Sequence, residues 1–288
     1  DGKSKDNNTD YNLKFTYAFN DFASIYGGVS TGFKASAWNI SRDSRPTANE
    51  IAGLSAAGTP VGPNTTVGTR YANPEKAEVL ELGAKIALPT GYLNIAIFDQ
   101  EIEDFQTNTF VGTGFVLANA GSQSADGYEF DLVISPTDNI DLAVSGLFID
   151  PIYDSYVGAA PGDLSGTVPS NTPEDTISST ITWNYTVNGW DSFLRISHLY
   201  SSEAQLLENP VHQALIEAQG NGYRKQDTLN ITAGFENDNL SITLWGKNIN
   251  DDEFLTSAFI AVADLSETSF FGYPNSFKSY GLTLNYSF

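Results

Sequence analysis

The chain has 288 residues, with 35 acidic against 14 basic side chains and a formal net charge of −21. So acidic a surface repels nucleic-acid phosphates, which excludes DNA or RNA as a partner. There is no Cys, so disulfides, zinc-thiolate sites and thiol nucleophiles are excluded too. Hydrophobic residues make up 41% and aromatics 12%, too many for a disordered acidic chain.

No run of 18 apolar residues occurs, so no helix of this sequence is long and apolar enough to span a bilayer. The mean hydropathy of −0.21 is equally that of strands whose two faces meet lipid and water by turns. The sequence has no Met and no apolar leader after Asp1, so the chain is expected to begin partway into a longer protein.

Period-two alternation runs through the sequence, and helical periodicity is nearly absent. Leu13, Phe15, Tyr17 and Phe19 alternate with Lys14 and Thr16. Leu80, Leu82, Ala84, Ile86 and Leu88 alternate with Glu81, Gly83 and Lys85. Tyr128, Phe130, Leu132 and Ile134 oppose Glu129 and Asp131. Ile177, Ile181, Trp183, Tyr185 and Val187 oppose Ser178, Thr180, Thr182, Asn184 and Thr186. The pattern continues in Leu229–Phe235 and Leu240–Leu244. It ends with Tyr280, Leu282, Leu284, Tyr286 and Phe288 against Gly281, Thr283, Asn285 and Ser287.

About eleven strands are predicted, over 12–20, 22–34, 75–89, 91–105, 123–135, 139–151, 175–187, 190–202, 226–236, 239–253 and 277–288. Several exceed the roughly 9–11 residues a tilted strand needs to cross a bilayer, whereas strands of soluble proteins run nearer five or six. Short and long connections alternate. Asn20-Asp21, Pro89-Thr90-Gly91, Pro136–Asn139, Asn188-Gly189 and Asn237–Asn239 carry tight-turn residues. The stretches 35–74, 106–122, 152–174, 203–225 and 254–276 are long. Short turns at one end and long loops at the other are the layout of outer-membrane barrels. Within the long stretches, Asn209-Pro210 predicts a helix ending near Gly220, and Thr47 and Glu50 have capping-box spacing.

Gly28-x-Ser30-x-Gly32 has nucleophile-elbow spacing, but that motif needs a strand–turn–helix setting, and here the glycines lie inside a predicted strand. His198 and His212 have no neighbours at metal-ligand spacing. No catalytic residue, metal site or cofactor is therefore expected.

Five segments carry a family resemblance. They are Gly28–Lys34 followed by Trp38-Asn39; Asn73-Pro74-Glu75 before Leu80–Lys85; Asn119-Ala120-Gly121 before Gly127-Tyr128-Glu129; Trp245–Asp251; and Tyr280–Phe288. In this order they resemble the second half of TonB-dependent outer-membrane receptors. The resemblance implies an all-β fold, a 22-stranded antiparallel transmembrane barrel of which residues 1–288 form the C-terminal portion. It implies a plug, a TonB-contacting segment and the first barrel strands elsewhere. The function implied is energised uptake of a scarce nutrient (a siderophore, cobalamin, haem or an oligosaccharide) across the outer membrane of a Gram-negative bacterium. The implied partners are TonB, the barrel-assembly machinery, outer-membrane lipid and the small-molecule cargo. A passive porin and a soluble all-β module stay open as alternatives at this point, and the chain's acidity argues mildly against anionic iron chelates as cargo.

Two sets of site residues are expected. The 35–74 stretch holds Trp38, Arg42, Arg45, Arg70 and Tyr71, types that make stacked and charge-assisted contacts, and is expected to meet the cargo. Tyr280, Leu282, Leu284, Tyr286 and Phe288 resemble the assembly signal of outer-membrane barrels, an apolar-faced strand suited to adding to a sheet edge. Changing Phe288 to Asp in the full-length protein is therefore expected to reduce assembled barrel several-fold, measured as the heat-modifiable band on a gel. An unchanged yield would reject the signal.

Overall fold

The computed structural model describes residues 3–40, 49, 52, 71–110, 115–159, 161–261 and 268–288. In chain order, β1 (Asn12–Asn20) turns into β2 (Ala23–Lys34), and a short pair, β3 (Ala37–Trp38) with β4 (Tyr71–Ala72), stands above it. Next come β5 (Glu75–Leu88) and β6 (Gly91–Glu103), a small hairpin of β7 (Gln106–Phe110) and β8 (Phe115–Asn119), and the long strands β9 (Ser122–Thr137) and β10 (Ile140–Ser155). They are followed by β11 (Asp175–Val187), β12 (Trp190–Gln205), the helix α1 (Pro210–Ala218) and β13 (Tyr223–Glu236). The chain continues through β14 (Leu240–Lys247), the hairpin of β15 (Leu255–Ile260) with β16 (Phe270–Pro274), and β17 (Ser279–Tyr286).

Eleven of these strands form one antiparallel sheet, ordered β1-β2-β5-β6-β9-β10-β11-β12-β13-β14-β17. Every neighbour is the next long strand along the chain, so the sheet is a meander. It does not close on itself, and β1 and β17 each have one partner in it.

The turns form where short-range chemistry dictates. Asn188 and Gly189 both take positive φ, 51° and 80°, as a two-residue hairpin between Val187 and Trp190 requires. Asn20 and Asn237 each bend the chain by accepting two backbone N–H groups on a side-chain oxygen, at 2.8–3.1 Å. Asn209 caps α1 the same way, taking the Val211 and His212 amides, with Pro210 at the first turn.

Cross-strand register puts the alternating apolar residues on one continuous face. Starting at Phe15 opposite Gly27, the row runs through Leu82 and Ile97 to Tyr128 and Phe148. A second row joins Leu142, Ile181, Ile196, Ile231 and Gly246 to Tyr280. At mid-sheet this face is the more open one: Leu80 and Leu82 are 60% and 48% exposed and Ile181 and Trp183 42% and 46%, while Glu81 is half-buried and Thr182 buried between them. The apolar face is thus the convex side, and no protein layer covers it among the described residues. The nine residues Leu80–Leu88, at about 3.3 Å each and tilted by about 40°, give it a height on the order of 20 Å.

Its upper limit is abrupt. Tyr128 and Phe148 stack at 4.7 Å, and one pleat beyond them Asp99, Asp126 and Asp150 lie directly opposite one another. Aromatic rings giving way to a row of carboxylates is the profile of an apolar–aqueous boundary.

Three features depart from the predicted elements. The strand expected over 239–253 ends at Lys247, because Asn248 turns the backbone with φ 50°. Pro136 lies in β9, and the turn after it is Asp138-Asn139. The hairpins β3–β4, β7–β8 and β15–β16 were not predicted. They are two to six residues per strand, too short for alternation to register. The capping box at Thr47 and Glu50 lies outside the described residues.

Side-chain amides tie the loops together at their roots. Asn119 accepts the Asn73 amide at 2.7 Å and donates to the carbonyls of Asn73 (3.2 Å) and Asp104 (2.6 Å). Gln106 donates its backbone N–H to Glu75 (2.9 Å), which also pairs with Lys34 at 3.2 Å, and its side chain to the carbonyls of Ala35 and Asn73. A second knot sits at the far side of the sheet. Buried Asn248 binds Asn230, Asp252 and Ser276, and Asp252 takes the Asp227 amide at 2.7 Å. Replacing Asn119 with Ala removes three hydrogen bonds and is expected to loosen the 35–74 and 104–119 loops, at a cost of about 1–2 kcal/mol locally. Limited proteolysis should cut these loops several-fold faster while the heat-modifiable barrel band is retained. Unchanged cleavage would contradict the anchoring role.

Candidate functional site

The concave face carries the polar half of the alternation. Thr182 and Arg195 sit side by side, with the Arg195 Nε donating to Thr182 Oγ1 at 3.1 Å and its guanidinium 5.4 Å from the Phe193 ring. Lys85 lies over Tyr26 and Lys247 over Trp245, both at 5.4 Å. Asn184 donates to Asp141 (2.9 Å) and Ser145 to Asp131 (2.9 Å). Three glycines on this face are covered by an aromatic ring from the next strand, Gly83 by Tyr26, Gly234 by Phe193 and Gly281 by Trp245. Hydroxyl, amide and charged groups spread over a wide concave wall suit a water-filled interior. Gly28, Ser30 and Gly32 are part of that wall, inside β2, which leads on to β3. Ser30 thus sits in mid-strand and not on the sharp strand-to-helix turn of a nucleophile elbow.

The expected site residues divide in three. Trp38 and Tyr71 are brought together as a cross-strand pair, rings 5.2 Å apart at 61°. The Trp38 indole N–H is buried without an acceptor among the described residues. Arg42, Arg45 and Arg70 lie outside the described residues. Tyr280, Leu282, Leu284 and Tyr286 line the convex face of β17, opposite Gly246, Leu244, Ile242 and Leu240. Phe288 follows the strand with its ring edge-on to Tyr286 at 5.1 Å.

Of the two histidines, His198 occupies the convex face and meets Asp227 at 2.6 Å. His212 is buried on α1.

A cavity that the sequence did not suggest lies among the loops above the concave wall. It has a volume of about 410 Å³ and is bounded by β7, the end of β10, α1 and β15. Its floor is a small core in which Phe105 packs on Ala120, Tyr153, Tyr156, Ala159 and Leu164. Tyr153 and Tyr156 meet edge-to-face at 5.1 Å, and the Tyr156 hydroxyl is 2.5 Å from Thr107 Oγ1. Glu208, at the entrance to α1, has one carboxylate oxygen held by Ser170 Oγ at 3.0 Å. Its other oxygen, Oε1, is buried and has no hydrogen-bond partner. Tyr153 stands above the apolar band, where burial, and next the adjacent Glu208 charge, push its hydroxyl pKa up. That hydroxyl stays protonated at every physiological pH. Among the described residues, no group of three or more His, Asp or Glu side chains is placed to hold a metal ion.

The family described as TonB dependent receptor-like, beta-barrel matches residues 1–249. No curated protein matches the chain. Similar solved structures include the ferric yersiniabactin uptake receptor of Yersinia pestis, with 17% identity and a TM-score of 0.70 over 96% of this chain and 37% of that one. The siderophore receptor PiuA of Acinetobacter baumannii shares 18% identity at a TM-score of 0.65, over 96% and 35% of the two chains. The ferric-catecholate import receptor Fiu of E. coli K12 shares 17% at 0.62, again over 96% and 35%. The chain thus spans little more than a third of the length of these receptors. With the family match covering most of its length, the chain belongs to the TonB-dependent receptors and is part of their β-barrel.

Proposed function

We propose that this chain is the C-terminal portion of a barrel that takes a small-molecule cargo across the outer membrane of a Gram-negative bacterium, driven through TonB. The observation that carries this reading is the division of the sheet into two faces. The convex face is an apolar band bounded by carboxylates, and the concave face carries most of the hydroxyl, amide and charged side chains. Hydrocarbon accepts the first, and water and solute the second. The loops support a receptor more than an open pore, because their roots are knotted and they enclose a cavity at the mouth. The similar receptors for ferric yersiniabactin and ferric catecholates make an iron–siderophore chelate the first cargo to try. Trp38, with Arg42, Arg45, Arg70 and Tyr71, is proposed to contact it. Assembly machinery reading β17 and lipid covering the convex face complete the proposed partners.

The test is uptake of iron-labelled siderophores by cells that express the full-length receptor, with and without functional TonB. Uptake should fall to background without TonB, and flux that persists would favour a passive channel. Alanine at Trp38, Arg42 and Arg45 together should weaken cargo binding roughly tenfold or more at unchanged barrel yield, since buried charged and aromatic contacts contribute on the order of 1–3 kcal/mol each. Unaltered affinity would reject this loop as the contact.

A further inference from the structure

We propose that the loop cavity between β7, β10, α1 and β15 is a subsite for a positively charged nitrogen group, an ammonium or guanidinium borne by the cargo. The inference rests on the uptake reading for its biological setting, but its chemistry is local. The cavity is walled by Phe105, Tyr153 and Phe259, with Asn108, Glu208 and His212 as polar lining. Among the described residues no Lys or Arg lines it. Glu208 Oε1 is buried and takes no hydrogen bond, while the other oxygen is held by Ser170. A carboxylate oxygen in that state costs free energy unless a donor reaches it.

Among the described residues no Lys or Arg meets the Glu208 carboxylate, and Oε1 itself takes no hydrogen bond. The Tyr153 hydroxyl stays within hydrogen-bonding reach of the Glu208 carboxylate, but it is neutral and adds no positive charge. Gln123, directly across from Tyr153, has a buried carbonyl oxygen that likewise lacks a donor. Among the described residues the surroundings thus offer neutral donors but no cation to match the Glu208 charge.

A bare metal ion does not fit, because one free carboxylate oxygen does not make a coordination shell. A nitrogen cation does fit. Its N–H groups would satisfy Oε1 by a charge-assisted hydrogen bond, and its charge would rest against the faces of Tyr153, Phe105 and Phe259. The same arrangement repels carboxylates and phosphates. The subsite thus selects cargo by charge, in the sense opposite to the arginines expected in the 35–74 loop.

The experiment uses the full-length receptor, folded in detergent, and two probes that share a ring and differ in charge, benzylammonium and benzoate. Binding is followed by ligand-observed NMR, and folding by heat-modifiable mobility. Benzylammonium should bind at least tenfold more tightly than benzoate. Glu208→Gln should reduce benzylammonium binding at least fivefold and leave benzoate unaltered. Ser170→Lys, which sets an ammonium beside Glu208, should abolish the preference and serves as an independent variant should Glu208→Gln not fold. Equal binding of the two probes, or a preference that survives in the folded variants, would overturn the proposal. Cargo uptake that needs TonB but shows no charge preference overturns the subsite alone. A charge preference in a receptor whose uptake ignores TonB supports the subsite and overturns the uptake reading.

Discussion

Each peptide unit carries one N–H and one C=O, and hydrocarbon offers a partner to neither. In an extended chain the cost is avoided only when every strand lies between two others. The architecture follows from that requirement. Strand pairing proceeds hairpin by hairpin, so each strand meets its partner as soon as the chain turns, and the eleven long strands are ordered as they occur. Pairing also fixes side-chain direction. A slip of one residue would exchange the faces, placing Thr182 and Asn184 where Ile181 and Trp183 stand. The two edges, β1 and β17, are the places where the requirement is unmet in this sheet, and neighbouring barrel strands would complete it.

The same logic explains why the motif segments recur at the loop ends. Above the boundary marked by Asp99, Asp126 and Asp150 the backbone leaves the sheet and must find other partners. Asn119, Gln106 and Glu75 provide them on one side, Asn248, Asn250 and Asp252 on the other. Asn is suited to this because its amide both donates and accepts and tolerates left-handed backbone, as at Asn248. The Asn-Pro-Glu, Asn-Ala-Gly and Asn-Ile-Asn-Asp segments are thus structural knots that aim the loops over the concave wall. The cargo contacts would lie further out, in the loop bodies and in the cavity beneath them.

The sheet was legible from the sequence because a period of two is a local signal repeated over eight to sixteen residues, and each short turn announced itself by Asn, Asp, Gly or Pro. Trp183 against Thr182 is readable from neighbouring letters alone. The loop cavity was not. Phe105, Tyr153, Glu208 and Phe259 are distant in sequence and belong to no periodic pattern, so only the folded loops bring them together. The loop pair of Trp38 with Tyr71 was anticipated as a grouping, and its cross-strand geometry was not, since two-residue strands leave no alternation to read. The strand predicted to run to Glu253 failed for a related reason: the alternation of Leu240–Leu244 does not announce that Asn248 turns.

The central claim is that the convex face meets hydrocarbon and the concave face water. Trp183 and Trp190 stand on the convex face, and Trp245 on the concave one. Single-tryptophan versions of the full receptor, reconstituted in bilayers of bromine-labelled lipid, report this directly. Fluorescence of Trp183 and Trp190 should be quenched strongly by the acyl-chain bromine and that of Trp245 scarcely at all. Equal quenching of all three, or quenching of Trp245 alone, would contradict the assignment of faces and the membrane reading built on it.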